Sequence, residues 1–252
     1  MSRPWKSELH VQLGRGVTAV ASCAPWSRRV VARAHAEGTP AQALPAALAA
    51  LRERCGALPA QARLRVPDEL VYFTLVAGST GWSAARQSAV NHFAATLGRQ
   101  DLVVQVVALP GHGAWLAAAI EPADLQTWQQ ALAGAGVQLA HVELQLLDDL
   151  HRIATEVPDE AIIALLREEG TTLVRVERGV PVELSWERCD PRALRLVEQR
   201  LLAFQGGIVS SQPPSVWMLC RAAEQRDHWR HMAKAHGWTL LLRHAQAAEA
   251  EA

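Results

Sequence analysis

The sequence predicts an α/β fold in which one strand–strand–strand–helix–strand unit occurs twice, with an insertion in the first copy. Three observations predict it. Runs of short alternating or apolar segments begin at Glu8 and again at Ala161, each followed by a helix with its apolar residues on one stripe. A short strand follows each helix. Residues 68–120 interrupt the first run, yet the pattern resumes beyond them.

In the first copy Glu8–Leu13 and Val17–Cys23 alternate at period two around the turn Gly14-Arg15-Gly16, and Arg28–Ala34 reads as a third strand. Pro40–Cys55 is rich in Ala, Leu and Arg, and Leu44, Leu48 and Leu51 form one buried stripe. Pro45 inside that run offers an alternative helix start, since proline is tolerated in a first turn. Arg63–Val66 is a short strand ended by Pro67. Within the insertion, Glu69–Val76 reads as a strand and Trp82–Leu97 as a helix with Trp82, Ala89, Phe93 and Leu97 on one side. Leu102–Leu109 and Ala114–Ile120 read as two strands around Pro110-Gly111-His112-Gly113. The helix Pro122–Ala135 and the strand Val137–Leu144 then resume the first copy.

The second copy opens with Ala161–Leu166, Thr171–Arg178 and Pro181–Trp186, the last two flanking a turn at Gly179. Asp190 caps a helix with Pro191 at its first position, and Gly206-Gly207 ends it. Leu194, Val197 and Leu201 share one face. Val216–Cys220, a helix over Ala222–His236 closed by Gly237, and Trp238–Arg243 complete the copy. This is the ribonuclease H-like order, present twice. The expected domains are a first lobe of residues 1–67 and 121–157, an inserted subdomain over 68–120, a second lobe over 158–244 and a tail over 245–252.

Composition narrows the function. Lys plus Arg and Asp plus Glu number 25 each, so the formal net charge is zero and the basic excess of a nucleic-acid binder is missing. Neutrality leaves self-association, a homodimer included, without a charge barrier. The four cysteines, Cys23, Cys55, Cys189 and Cys220, form no C-x-x-C pair and read as buried thiols of a reducing cytosol. The start, MSRPWKSELHVQL, lacks the apolar core of a signal peptide. The apolar window Leu102–Ile120 is broken by Gln105, Pro110, Gly111, His112 and Gly113, so no direct membrane span is expected.

The opening hairpin LHVQLGRGVTAVAS, the block VPDELVYFTLVAGSTGWSAARQSAVNHFAATLG, the stretch VVQVVALPGHGAWLAAAIEPADLQTWQQALAGAGVQLAHVELQLL and the later EEGTTLVRVERGVPVELSWER carry a resemblance. Two tandem ribonuclease H-like lobes with an insertion in the first resemble the actin-like fold. Within it the chain is similar to the cytoplasmic domain of the L component (GspL) of type II secretion systems and to its type IV pilus relative PilM, over most of residues 8–243. The order and spacing of elements carry the match. The resemblance implies a non-catalytic cytoplasmic scaffold that docks a secretion or pilus assembly ATPase and inner-membrane assembly proteins, held at the inner membrane through those partners. L components continue into a transmembrane helix and a periplasmic domain. This chain therefore reads as either a stand-alone version or a truncated one.

An actin-like nucleotidase needs a glycine-containing turn in each lobe to hold phosphates, and carboxylates beside the turns to hold magnesium. The candidate ATP-binding residues are Gly14 and Gly16 in the first turn and Gly170 and Thr171 in the second. The resemblance implies an Asp two residues before the first glycine, and this chain has Gln12 there. An amide lacks the charge that magnesium requires. Glu168 and Glu169 stand where the second Asp is usual. Two readings remain open: a hairpin scaffold with no catalytic residue, metal or cofactor, and an ATP-binding switch or ATPase of the same fold.

Other clusters have plain explanations. Asp227, His228, His231 and His236 read as a solvated helix face with no third metal ligand in sequence. His112 lies in a turn with no nucleophile motif, and Gly78-Ser79-Thr80-Gly81 lacks the lysine of a phosphate-binding P-loop. Asp148-Asp149 beside His151 reads as a solvated acidic pair. The insertion, with its apolar strand at Leu70–Val76, is expected to carry a docking surface.

Overall fold

The computed structural model describes residues 7–24, 29–109, 114–167, 169–190, 193–205, 215–220 and 225–244. In the first part of the chain the elements are β1 (Glu8–Gln12), β2 (Val17–Cys23), β3 (Val30–Glu37), α1 (Pro40–Cys55) and β4 (Gln61–Val66). The insertion contributes β5 (Tyr72–Val76), α2 (Trp82–Leu97), β6 (Val103–Ala108) and β7 (Trp115–Ile120). Then come α3 (Pro122–Gly134), β8 (Gln138–Leu144) and α4 (Gln145–Ile153). The last part contains β9 (Ala161–Leu166), β10 (Gly170–Glu177), β11 (Val180–Arg188), α5 (Leu194–Gln205), β12 (Ser215–Cys220), α6 (Arg226–His236) and β13 (Thr239–His244).

The duplication is visible in the sheets. One sheet has the order β3-β2-β1-β4-β8 and another β11-β10-β9-β12-β13, which is the same order in each copy. In both, the first three strands pair antiparallel and the last two join in parallel. By compactness the chain forms one unit of Met1–Val71, Asp101–Val103 and Ala119–Arg152, and a second of Tyr72–Gln100, Val104–Ala118 and Ile153–Ala252. The insertion's own sheet has the order β5-β7-β6, and β5 lies against β11 within the second unit.

α1 spans the full run from Pro40, with Leu44, Leu48 and Leu51 buried on its stripe. Pro45 is therefore inside the helix rather than at its start. Gly56, at φ +76°, closes it by donating its N–H to Arg52 O. In α2 the buried stripe is Ala85, Ala89 and Phe93. Trp82 and Leu97, expected on that stripe, occupy the two ends of the helix and are exposed.

Three other expectations need correction. The third strand is Val30–Glu37, displaced toward the C-terminus from the stretch 28–34. Glu69 and Leu70 belong to a 3₁₀ turn, Asp68–Leu70, in which Leu70 N–H bonds Pro67 O and Val71 N–H bonds Asp68 O. That turn uses the backbone groups a strand would have paired, so β5 starts later. α4 was not foreseen, because it follows β8 with no glycine or proline between them. The helix starts at Pro191 and Ala222, the stop at 206–207, the turn at 110–113, Glu168 and the tail 245–252 lie outside the described residues.

The two ribonuclease H-like sheets differ in their second faces. On β1 and β4, Leu9, Val11, Ala62 and Leu64 are buried, while the alternate residues His10, Gln12, Arg63 and Arg65 are only half-buried. The register equates His10–Arg63 with Ile163–Trp217, and Gln12–Arg65 with Leu165–Leu219. In the second copy those positions are apolar, and Ile163, Leu165 and Trp217 are buried. The first sheet has one dry face. In the second, the central strands β9 and β12 are dry on both, as the unbroken apolar run AIIALL requires. One of its cores joins Ile162, Ala164, Val216 and Met218 to Val197 and Leu201 of α5 and Trp229 and Met232 of α6.

Candidate functional site

The first glycine turn joins β1 to β2. Leu13 N–H donates to Arg65 O (3.0 Å), tying the turn to β4, and Gly38 N–H donates to Gly16 O (2.9 Å). A Cβ on Gly14 would lie 2.6 Å from Val17 O, so the hairpin's own backbone demands glycine there. A Cβ on Gly16 would meet nothing within 4 Å. Arg15 is exposed and acts electrostatically on the start of α3. There partial desolvation, then the Glu121 charge, hold the Asp124 carboxyl above its ordinary range, and Arg15 opposes them.

The second turn joins β9 to β10, with Arg167 N–H donating to Gly170 O (2.8 Å). A Cβ on Gly170 would lie 2.5 Å from Glu187 O and 3.1 Å from the Trp186 ring, both on the neighbouring β11. Thr171 is buried, with its Oγ1 3.0 Å from Cys189 Sγ. Gly14 and Gly16 thus belong to the first unit, and Gly170 and Thr171 to the second. Gly170→Ala should cost about 1–3 kcal/mol, because a backbone carbonyl must move to admit the methyl. Gly16→Ala should stay within about 0.5 kcal/mol. Urea denaturation followed by circular dichroism compares the two, and equal costs would refute the close packing at Gly170.

Charge beside the first turn is organised around arginines. Gln12 and Arg65 are cross-strand neighbours. Arg65 Nη2 lies 2.7 Å from Asp148 Oδ2 and 3.5 Å from Asp149 Oδ1, and Asp149 is buried. The pair expected on a solvated face is therefore a structural anchor between β4 and α4. Sequence reasoning missed it because the partners are 84 residues apart. Next along β4, Arg63 bonds Glu143 and lies 3.3 Å from Glu8. Partial burial pulls the Arg63 guanidinium down, but Glu143 and Glu8 outweigh it and hold it above its ordinary value.

The histidines of α6 do other work. His236 Nε2 lies 2.9 Å from Glu198 Oε1 on α5, and its ring tilts against Trp238 at 5.0 Å. His228 meets Trp229 edge-on. Among the described residues no three His, Cys, Asp or Glu side chains converge to hold a metal. A pocket of about 500 Å³ beside Ser79, Thr80, Leu109 and Trp115 has no acid or base among its described lining residues.

No family model and no curated protein matches the sequence. Solved structures do. The chain is similar to the PilM–PilN type IV pilus biogenesis complex (TM-score 0.70, 12% identity, 95% of this chain and 89% of that one). It is also similar to a Bacteroides thetaiotaomicron protein with an actin-like ATPase fold and unknown function (TM-score 0.67, 10% identity, 95% and 91%). The fold is actin-like. A third similarity is to the cytoplasmic domain of EpsL, an inner-membrane component of the type II secretion system of Vibrio cholerae (TM-score 0.56, 13% identity, 96% and 86%).

Set against the needs of an actin-like ATPase, these residues fit poorly. The two aspartates near the first turn already neutralise Arg65, and Gln12 supplies no charge for magnesium. Gly14 and Gly170 each have a local steric reason to be glycine, Val17 O for the first and Glu187 O with the Trp186 ring for the second.

Proposed function

We propose that the chain is a non-catalytic scaffold of a type II secretion or type IV pilus assembly platform. In this reading it docks the assembly ATPase and inner-membrane assembly proteins from the cytoplasmic side. The observation that carries it is the likeness to PilM–PilN along 95% of the chain. The poor fit of the glycine turns to magnesium nucleotide supports the non-catalytic part. No helix among the described residues is long and apolar enough to cross a membrane, so attachment through partners is part of the proposal.

Two measurements test it. Co-expression with the assembly ATPase and inner-membrane assembly proteins of the same genome should yield a co-purifying complex, and failure with all of them overturns the scaffold reading. Thermal-shift titration with Mg-ATP should give no change up to millimolar nucleotide. A bound nucleotide at hundredfold excess would add about 2.7 kcal/mol, and a shift of that size would favour the ATP-binding switch.

A further inference from the structure

The insertion's sheet ends in an unusual edge. β6 reads Val103-Val104-Gln105-Val106-Val107-Ala108 and, among the described residues, pairs only with β7. It carries no charge and no proline, the devices that usually blunt an exposed edge. Val104 and Val106 are buried, while Val103 (37%) and Val107 (44%) are exposed on the other face. Residues 103–107 are also a palindrome, VVQVV, centred on Gln105.

The backbone parity matches that palindrome. Leu109 N–H donates to Ala114 O (2.9 Å), so odd-numbered residues of β6 turn their N–H and C=O groups toward β7. Those of Val104, Val106 and Ala108 point to the open side. Consistent with this, Arg86 of α2 donates from Nε to Val104 O (3.3 Å), and its guanidinium lies 5.9 Å from the Trp82 ring centre.

We infer that β6 is a self-complementary docking edge: two copies of this chain pair antiparallel through it about a two-fold axis at Gln105, after Arg86 releases Val104 O. In that register Val104 of one copy faces Val106 of the other. Both residues direct their backbone groups outward, so each such pair exchanges two hydrogen bonds. The side chains agree too. Val104 and Val106 extend the buried apolar layer across the junction, exposed Val103 meets exposed Val107, and the two Gln105 amides face each other. An isologous contact of this kind closes at two copies. The charge-free strand and the zero net charge impose no repulsion on it. Arg86 acts as the gate, because the acceptor it covers is one the second copy needs.

Sedimentation equilibrium of the full chain, loaded from about 0.1 to 1 mM to cover weak affinities, tests this. The wild type should approach twice its 27.4 kDa mass as concentration rises. Gln105→Lys and Gln105→Glu should each be monomeric, because like charges then face each other on the axis. Their equimolar mixture should dimerise again. Gln105 is exposed, so both variants should keep the wild-type circular dichroism spectrum. Arg86→Ala should tighten the dimer about 30-fold, because two such contacts, one per copy, are released at roughly one hydrogen bond each. A wild type that stays monomeric throughout, a dimer indifferent to Gln105→Lys, or a mixture that stays monomeric would each overturn the pairing. An unchanged constant in Arg86→Ala would overturn the gate.

Discussion

Trp217→Ala is expected to lower stability by about 3–5 kcal/mol, the range for emptying a large buried aromatic site. Trp217 lies on β12 between Ile163 of β9 and Leu241 of β13, and is 1% exposed. It belongs to the face that the first sheet leaves half-wet, since Arg63 is its counterpart there. That comparison supplies the control. Arg63→Ala removes a side chain that is 30% exposed and shares its charge with Glu8 and Glu143, so its cost should be about 1 kcal/mol. Equilibrium unfolding in urea, followed by circular dichroism, reads both. If the two substitutions cost the same, the second sheet has a solvated face like the first, and its burial on both sides is wrong.

That asymmetry was legible in the residues, because LHVQL alternates and AIIALL does not. The duplicated order was legible for the same reason: strand and helix periods are local signals, and eleven to sixteen residues suffice to display a helix such as α1 or α6. What local pattern could not supply was pairing. The acidic residues Asp148 and Asp149 look solvated until β4 brings Arg65 to them. The steric need for glycine at position 170 comes from Glu187 O on β11, a neighbour 17 residues away that no local pattern names. The 3₁₀ turn at Asp68–Leu70 was hidden by apolar neighbours that continue the strand pattern of β5. α4 was hidden because nothing punctuates its junction with β8. For the first three the missing information was the identity of a neighbour distant in sequence, or a backbone bond that overrides propensity; for α4 it was a boundary with no local signal.

Arg65→Met should cost about 2–4 kcal/mol, less than a fully buried ion pair because the Arg65 side chain retains 18% exposure. Methionine keeps the unbranched apolar stem that Arg65 lays along the sheet, so the loss isolates the guanidinium. Without it, Asp149, 8% exposed at its side chain, lies beside an Asp148 that keeps its Arg152 contact at 2.7 Å. The two neighbouring carboxylates then lack the cation they share, and their mutual repulsion opposes the packing of α4 on β4. The double variant Arg65→Met/Asp149→Leu removes both the cation and its buried partner. It should therefore recover more than half of the loss, as apolar replacement of a buried pair commonly does. The interaction energy from the full double-mutant cycle distinguishes this account from a simple packing defect at position 65. Additive costs would mean that the loss in Arg65→Met does not come from its pairing with Asp149, and that the aspartates beside the first glycine turn are not committed to Arg65.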